Sequence, residues 1–168
     1  MLIRFFSVLV LGLTLTLNAS SQELKDFKLY TPTANAEKDI AAAVSEAKAS
    51  GKNVLVQIGG NWCIWCMRFN DFVTKDAQLD SMTKASYVVY HMNYSEENKN
   101  EKLLAKYKYP QRFGFPVFLV LNSKGELLHT QNTSYLESGK SYDKRNVMGF
   151  LRDWSAKALD PAQYKETK

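Results

Sequence analysis

The stretch that leaves this chain least freedom is Asn61-Trp62-Cys63-Ile64-Trp65-Cys66-Met67-Arg68, set directly behind an apolar run. Asn53-Val54-Leu55-Val56-Gln57-Ile58 is β-branched and apolar over the length of a buried strand, and Gly59-Gly60 breaks it. Beyond Cys63 no Gly or Pro interrupts the chain, and Cys66, Phe69 and Val73 recur at helical spacing on one face. The pattern predicts a buried strand, a tight turn and a helix that begins at Cys63. These are the only 2 cysteines in 168 residues, so no third thiol is present to exchange with them.

A helix start suits thiol chemistry. Its first N–H groups lack intrahelical partners and its dipole is positive there, so a thiolate is favoured over a thiol and Cys63 is expected to be acidic. A fall in its pKa from about 8.5 to about 7 would raise the thiolate fraction at neutral pH from about 3% to about 50%. Lower basicity returns about fivefold in nucleophilicity, so the larger benefit is to Cys63 as a leaving group. Cys66 lies one helical turn on, within bridging reach and expected to be the more buried, placed to resolve a mixed disulfide. Two other uses of the pair stay open. A structural bridge over so short a loop would contribute about 2 kcal/mol, less than a longer loop would. A zinc or copper site would need further ligands, and the other strong candidates, His91 and His129, are remote in sequence and not paired at ligand spacing.

Trp62-Cys63-x-x-Cys66 after an apolar strand, with Gly114-Phe115-Pro116-Val117 leading into a second one, resembles the thioredoxin superfamily. It resembles in particular the periplasmic thioredoxin-like group that includes the C-terminal domain of DsbD, over about residues 36–154. The resemblance implies an α/β thioredoxin fold, a mixed central sheet with helices on both faces. It implies that Cys63 and Cys66 are the catalytic pair, that Pro116 is a cis-proline beside Cys63, and that the Phe115 backbone pairs with an extended client segment as an added strand. Trp62, Trp65, Phe113 and Phe115 would rim the thiols. Clients would be proteins bearing thiols or disulfides, with a membrane or soluble donor protein supplying electrons; no metal or other cofactor is implied. Two positions depart from ordinary thioredoxins. Gln57 stands six residues before Cys63, where many members carry a buried acid, and an amide cannot take a proton at neutral pH. Ile64-Trp65 replaces Gly-Pro between the cysteines, which leaves the reduction potential open.

The N-terminus carries an address. Met1-Leu2-Ile3-Arg4 is basic at Arg4, residues 5–17 are mostly apolar, and Asn18-Ala19-Ser20-Ser21 supplies small residues for cleavage. Residues 1–21 read as a secretory signal, and 22–168 as one thioredoxin-like domain. An uncleaved anchor is the other reading of that segment, and a signal implies transient membrane association before cleavage. The expected location is the bacterial periplasm or the exterior. The formal charge of +5 falls to +4 when Arg4 leaves, and the remaining lysines are spread as solvated helix faces would be. Nucleic-acid binding is therefore not indicated. An oxidising compartment often adds disulfides to small domains, yet only one pair is available here, so a partner must set its working state.

Elsewhere, residues 24–30 alternate loosely and suggest a first edge strand. Residues 36–50 read as a helix capped by Asn35 and ended by Gly51, and 76–82 as short turns with Leu79 and Met82 inward. Residues 87–93 read as a second central strand, with His91 packed or at an edge rather than a catalytic base. A Lys-rich helix is expected over 98–107, burying Leu103, Leu104 and Tyr107. A hairpin around Asn122-Ser123-Lys124-Gly125 joins strands 117–121 and 126–129, with His129 exposed to solvent. Residues 131–142 read as a polar loop. Asp143 caps a final helix whose face is Val147, Phe150, Leu151, Trp154 and Ala158, ended by Pro161. Two functions follow: an exported thiol–disulfide oxidoreductase, with the reductase or isomerase direction preferred on the resemblance, or an adaptor or redox sensor that docks partners with little turnover.

Overall fold

The computed structural model describes residues 26–165; the expected signal segment, 1–21, lies outside them. Helix α1 (Ala36–Ser50) precedes strand β1 (Asn53–Gly59), then come α2 (Ile64–Lys75), α3 (Ala77–Ser86), β2 (Tyr87–Asn93) and the short α4 (Glu101–Lys106). Strands β3 (Val117–Leu121) and β4 (Leu127–Asn132) follow, then a small hairpin of β5 (Glu137–Ser138) and β6 (Ser141–Tyr142), and helix α5 (Lys144–Asp153). The main sheet runs β2-β1-β3-β4. Strand β1 is parallel to β2 and antiparallel to β3, and β4 is antiparallel to β3, so the sheet is mixed.

Strand β1 shows no polar alternation because both of its faces are covered. Val54, Val56 and Ile58 pack with Ile40, Ala43 and Ala47 of α1 and Leu103 and Leu104 of α4. On the other face, Leu55 packs with Phe69 and Val73 of α2, Leu79 of α3, Phe118 of β3 and Val147, Phe150 and Leu151 of α5. Each such side chain contributes about 1.5–3 kcal/mol when fully buried, so β1 and β3 anchor the molecule. The thioredoxin-type α/β arrangement with helices on both faces is as expected. Local signals also set the helix ends: the Asn35 side chain accepts from Lys38 N–H, Gly51 closes α1 in the left-handed region at φ 67°, and the Asp143 side chain accepts from Asn146 N–H.

Several expectations change. Residues 27–30 form no strand. The main-chain N–H groups of Leu29 and Tyr30 donate to Asn61 Oδ1, and Asn61 Nδ2 donates to Tyr30 O, at 2.8–3.0 Å. An amide side chain thus takes the hydrogen bonds that a neighbouring strand would have taken, and β2 becomes an edge strand instead of a central one. Helix α3 replaces the expected short turns, because Asp76 Oδ1 caps it through Gln78 and Leu79 N–H and no breaker follows. Helix α4 is shorter than expected. Asn100 is left-handed at φ 52° and donates to Asn93 O, and Asn98 donates to Pro32 O, so both residues tie loops together. Leu103, Leu104 and Tyr107 are still its buried set.

The stretch 131–142 is not a polar loop. It ends β4, turns through a 3-10 segment at Thr133–Leu136 and forms the β5–β6 hairpin, and it buries Thr133, Leu136 and Tyr142. Helix α5 stops at Asp153, where Ser155 Oγ donates to Arg152 O and accepts from Ala158 N–H, so Pro161 opens a separate 3-10 turn. His129 is not simply solvated: its ring stacks on Trp154 with centroids 4.1 Å apart.

Candidate active site

Strand β1 ends at Gly59 and hands the chain to a turn in which Cys63 N–H donates to Gly60 O. Cys63 is the N-cap of α2, extended at φ −92° and ψ 102°, and its Sγ accepts from Cys66 N–H at 3.1 Å. The two sulfurs are bonded at 2.08 Å, with Cα atoms 5.2 Å apart. A cysteine at the cap position points its sulfur at the unpaired N–H groups of the first turn, so charge on that sulfur is met by backbone dipoles. Both sulfur residues are nearly covered, at 3% and 2% exposure. They cluster with Tyr30, and Phe27, Leu29, Trp65 and Phe115 pack around them. Cys63 is thus more enclosed than its expected role as the outer thiol suggested.

Gly59 matters for more than the turn. A Cβ there would stand 2.4 Å from Cys66 Sγ and 2.8 Å from Tyr30 Oη. One neighbour is held by a disulfide and the other by the Asn61 clamp, so neither yields cheaply. Gly59→Ala is expected to destabilise the oxidised protein by about 1–3 kcal/mol, read from urea unfolding, as overpacking of a close-packed site does. Full stability in that variant would contradict the tight convergence.

The loop ahead of β3 brings the second half of the site. The Phe115–Pro116 peptide bond is cis, and Pro116 O accepts from buried Thr133 Oγ1 at 2.6 Å. The Phe115 ring stacks on Tyr94 at 4.7 Å and meets Trp62 edge-on at 5.5 Å. Trp62, 52% exposed, donates from Nε1 to Tyr94 O, so an open aromatic face is fixed beside the disulfide. Trp65 packs against the cysteines and against a second cluster as well: its ring meets Tyr142 edge-on, Arg68 lies 4.8 Å over it, and Tyr142 Oη donates to its carbonyl. Phe113 stacks beneath Arg112.

Gln57 is buried on the sheet face beneath α2, in register with His91 on β2 and Phe118 on β3. With His91 it lines a cleft of about 470 Å³ that also reaches Phe69, Val73, Lys52 and Asp80. Burial pushes the His91 imidazolium down to about 4, so the ring is neutral at pH 7. Its ring meets Tyr30 edge-on at 5.7 Å. His91 and His129 stand on opposite edge strands and do not converge. Among the described residues no group of three or more His, Cys, Asp or Glu could hold a metal ion, and no helix is long and apolar enough to cross a membrane. Tyr30, Asn61, Tyr94 and Thr133 are the residues that sequence reasoning passed over. Only Asn61 carried a signal, through its place in the turn before Cys63.

A central strand that delivers a bridged cysteine pair to a helix start, within a mixed sheet covered on both faces, defines a thioredoxin-like oxidoreductase fold. The chain belongs to the Thioredoxin-like family, whose sequence profile matches residues 35–123. Among solved structures, a disulphide isomerase from Xylella fastidiosa Temecula1 superposes with a TM-score of 0.65 at 22% identity, over 74% of this chain and 95% of that one. The oxidised C-terminal domain of DsbD from Neisseria meningitidis gives 0.51 at 16% identity, over 73% and 98%. A thioredoxin from Thermus thermophilus gives 0.51 at 21%, over 75% and 93%. At these identities the likeness is one of fold. No curated protein matches the sequence significantly.

Proposed function

We propose that this protein is an exported thiol–disulfide oxidoreductase working on other proteins, with Cys63 as the exchanging sulfur and Cys66 as the resolving one. The observation that carries this is Cys63 at the cap of α2, its Sγ already accepting the Cys66 N–H. In the reducing direction the Cys63 thiolate attacks a client disulfide, forming a mixed disulfide and releasing one client thiolate. Cys66 gives up its proton and attacks Cys63 Sγ, the client's second sulfur leaves as a thiolate, and the bridge between Cys63 and Cys66 forms. Two electrons have passed to the client, and a dithiol donor protein must restore the pair. Trp62 and the backbone at Phe115 and Pro116 are the client-binding surface in this reading, with Gln57 and Trp65 in support. The basic and apolar character of residues 1–21 supports export to the periplasm or beyond. The fold shared with a disulphide isomerase and a DsbD domain supports the reductase or isomerase direction.

Equilibration of the pair against glutathione, followed by the fluorescence of Trp62 and Trp65, tests the direction. A potential near thioredoxin's, about −270 mV, is expected for a donor-fed reductase, whereas one near −120 mV would make the protein an oxidant. A pair that does not cycle would overturn the enzymatic reading in favour of the docking adaptor.

A further inference from the structure

Gln57 leaves this site without the buried acid that exchanges a proton with the second cysteine in many relatives, and something else must meet the charge that appears on Cys66 when the bridge opens. One hydroxyl is placed to do so. Tyr30 Oη and Cys66 Sγ converge on the empty spot beside Gly59, 2.8 and 2.4 Å from where a Cβ would sit. Tyr30 is 4% exposed and packs in one cluster with both cysteines. Its backbone is held at N–H and C=O by Asn61, two residues before Cys63, so its main chain is tied to the active-site turn. Phe27 and His91 meet its ring edge-on from either neighbour, which fixes the direction of the hydroxyl.

We propose that Tyr30 is a positioning residue for the exchange, its hydroxyl donating a hydrogen bond to Cys66 Sγ once the disulfide is opened. The inference rests on the oxidoreductase reading. A donor thiolate attacks Cys63 Sγ, a new bond joins those two sulfurs, the Cys63–Cys66 bond breaks, and its electron pair goes to Cys66 Sγ. Tyr30 O–H then faces a buried thiolate, and the hydrogen bond holds that charge until a solvent proton arrives. In the opposite direction the same bond keeps Cys66 ionised for attack on Cys63 Sγ. Burial raises the Tyr30 phenol well above its ordinary range, so it remains a donor at every pH at which the protein works. The other titratable groups near it are His91, neutral above about pH 4, and Tyr142, whose phenol burial also raises and which Arg68 opposes weakly.

The test is a thiol titration in a protein with one cysteine. In purified Cys63→Ala, thiolate absorbance at 240 nm gives the pKa of Cys66, and Tyr30→Phe is then added to the same background. Loss of a hydrogen bond to a charged group should raise the Cys66 pKa by about one pH unit. In the protein with both cysteines, Tyr30→Phe should slow reduction of the bridge by dithiothreitol by about tenfold. Phe keeps the ring, and circular dichroism confirms the fold. A Cys66 pKa unchanged within about 0.3 units in a folded variant would overturn the inference. The titration needs no turnover, so it gives its answer even if the protein proves not to be an oxidoreductase; that failure would appear instead as a wild-type pair that does not cycle.

Discussion

Cys66→Ser is expected to accumulate covalently bound to its client, while Cys63→Ser forms no such adduct. The asymmetry follows from where the two sulfurs sit. Cys63 Sγ is the one at the helix cap, facing the N–H of Cys66, and is therefore the sulfur proposed to exchange with an outside thiol. With Cys66 replaced, the mixed disulfide on Cys63 has no neighbouring thiol to release it, and it persists on a non-reducing gel. With Cys63 replaced, the remaining sulfur belongs to a residue inside α2 rather than to its cap, without the first-turn N–H groups that favour an attacking or leaving thiolate, so no adduct is expected to build up on it. Turnover in an insulin-reduction assay should fall more than about a hundredfold in either variant, because the two cysteines act as a unit. Stability cannot produce this contrast. Either serine removes the same bridge over the same short loop, at about 2 kcal/mol by the chain-entropy relation. An adaptor that only docks partners would keep its binding in both variants and trap nothing, which is the result that would reject the oxidoreductase reading.

What was legible beforehand was what depends on neighbours in sequence. The seven residues of β1 advertise a strand buried on both faces, Asn35, Gly51 and Asp143 mark helix ends through capping chemistry, and the break before Cys63 places that sulfur at a helix start. The failures share a different cause. Residues 27–30 have the alternation of an edge strand, but their partner is the side chain of Asn61, and a single amide that mimics a strand edge leaves no periodic trace. Residues 131–142 look polar because Gln131, Asn132, Ser134 and Ser141 outnumber the three side chains, Thr133, Leu136 and Tyr142, that are buried. The pairing of His129 with Trp154 joins a strand to the residue that caps α5, and nothing in either segment names the other. The same holds for Tyr30. Its importance is the meeting of its hydroxyl with Cys66 at a glycine, a three-body coincidence that only the fold creates.

His91 gives the largest expected dependence of stability on pH. Burial between β1 and the cleft lowers its pKa from 6.5 to about 4, with Tyr30 and Gln57 beside it and, among the described residues, no charged partner to offset the desolvation. Between those two values the unfolded chain binds the proton and the folded chain does not, so stability rises with pH there and falls as the solution is acidified. The loss should begin near pH 6.5 and be complete near pH 4, reaching about 2–3 kcal/mol after allowance for partial solvent access. The cleft's own charges, Glu46, Lys52, Asp80 and Lys84, include both signs and leave the direction unchanged. Asp76 and Glu97, whose carboxyls hydrogen bonds hold below their ordinary values of 3.8 and 4.5, lose stability only at lower pH. Glu137 opposes the trend, since burial raises its carboxyl and acid favours its folded form, but it is shallow beside His91. Urea midpoints measured at pH 7, 5.5 and 4 should therefore fall steadily in the wild-type protein and stay nearly level in His91→Gln. A slope of equal size in both proteins would show that the acid sensitivity lies elsewhere.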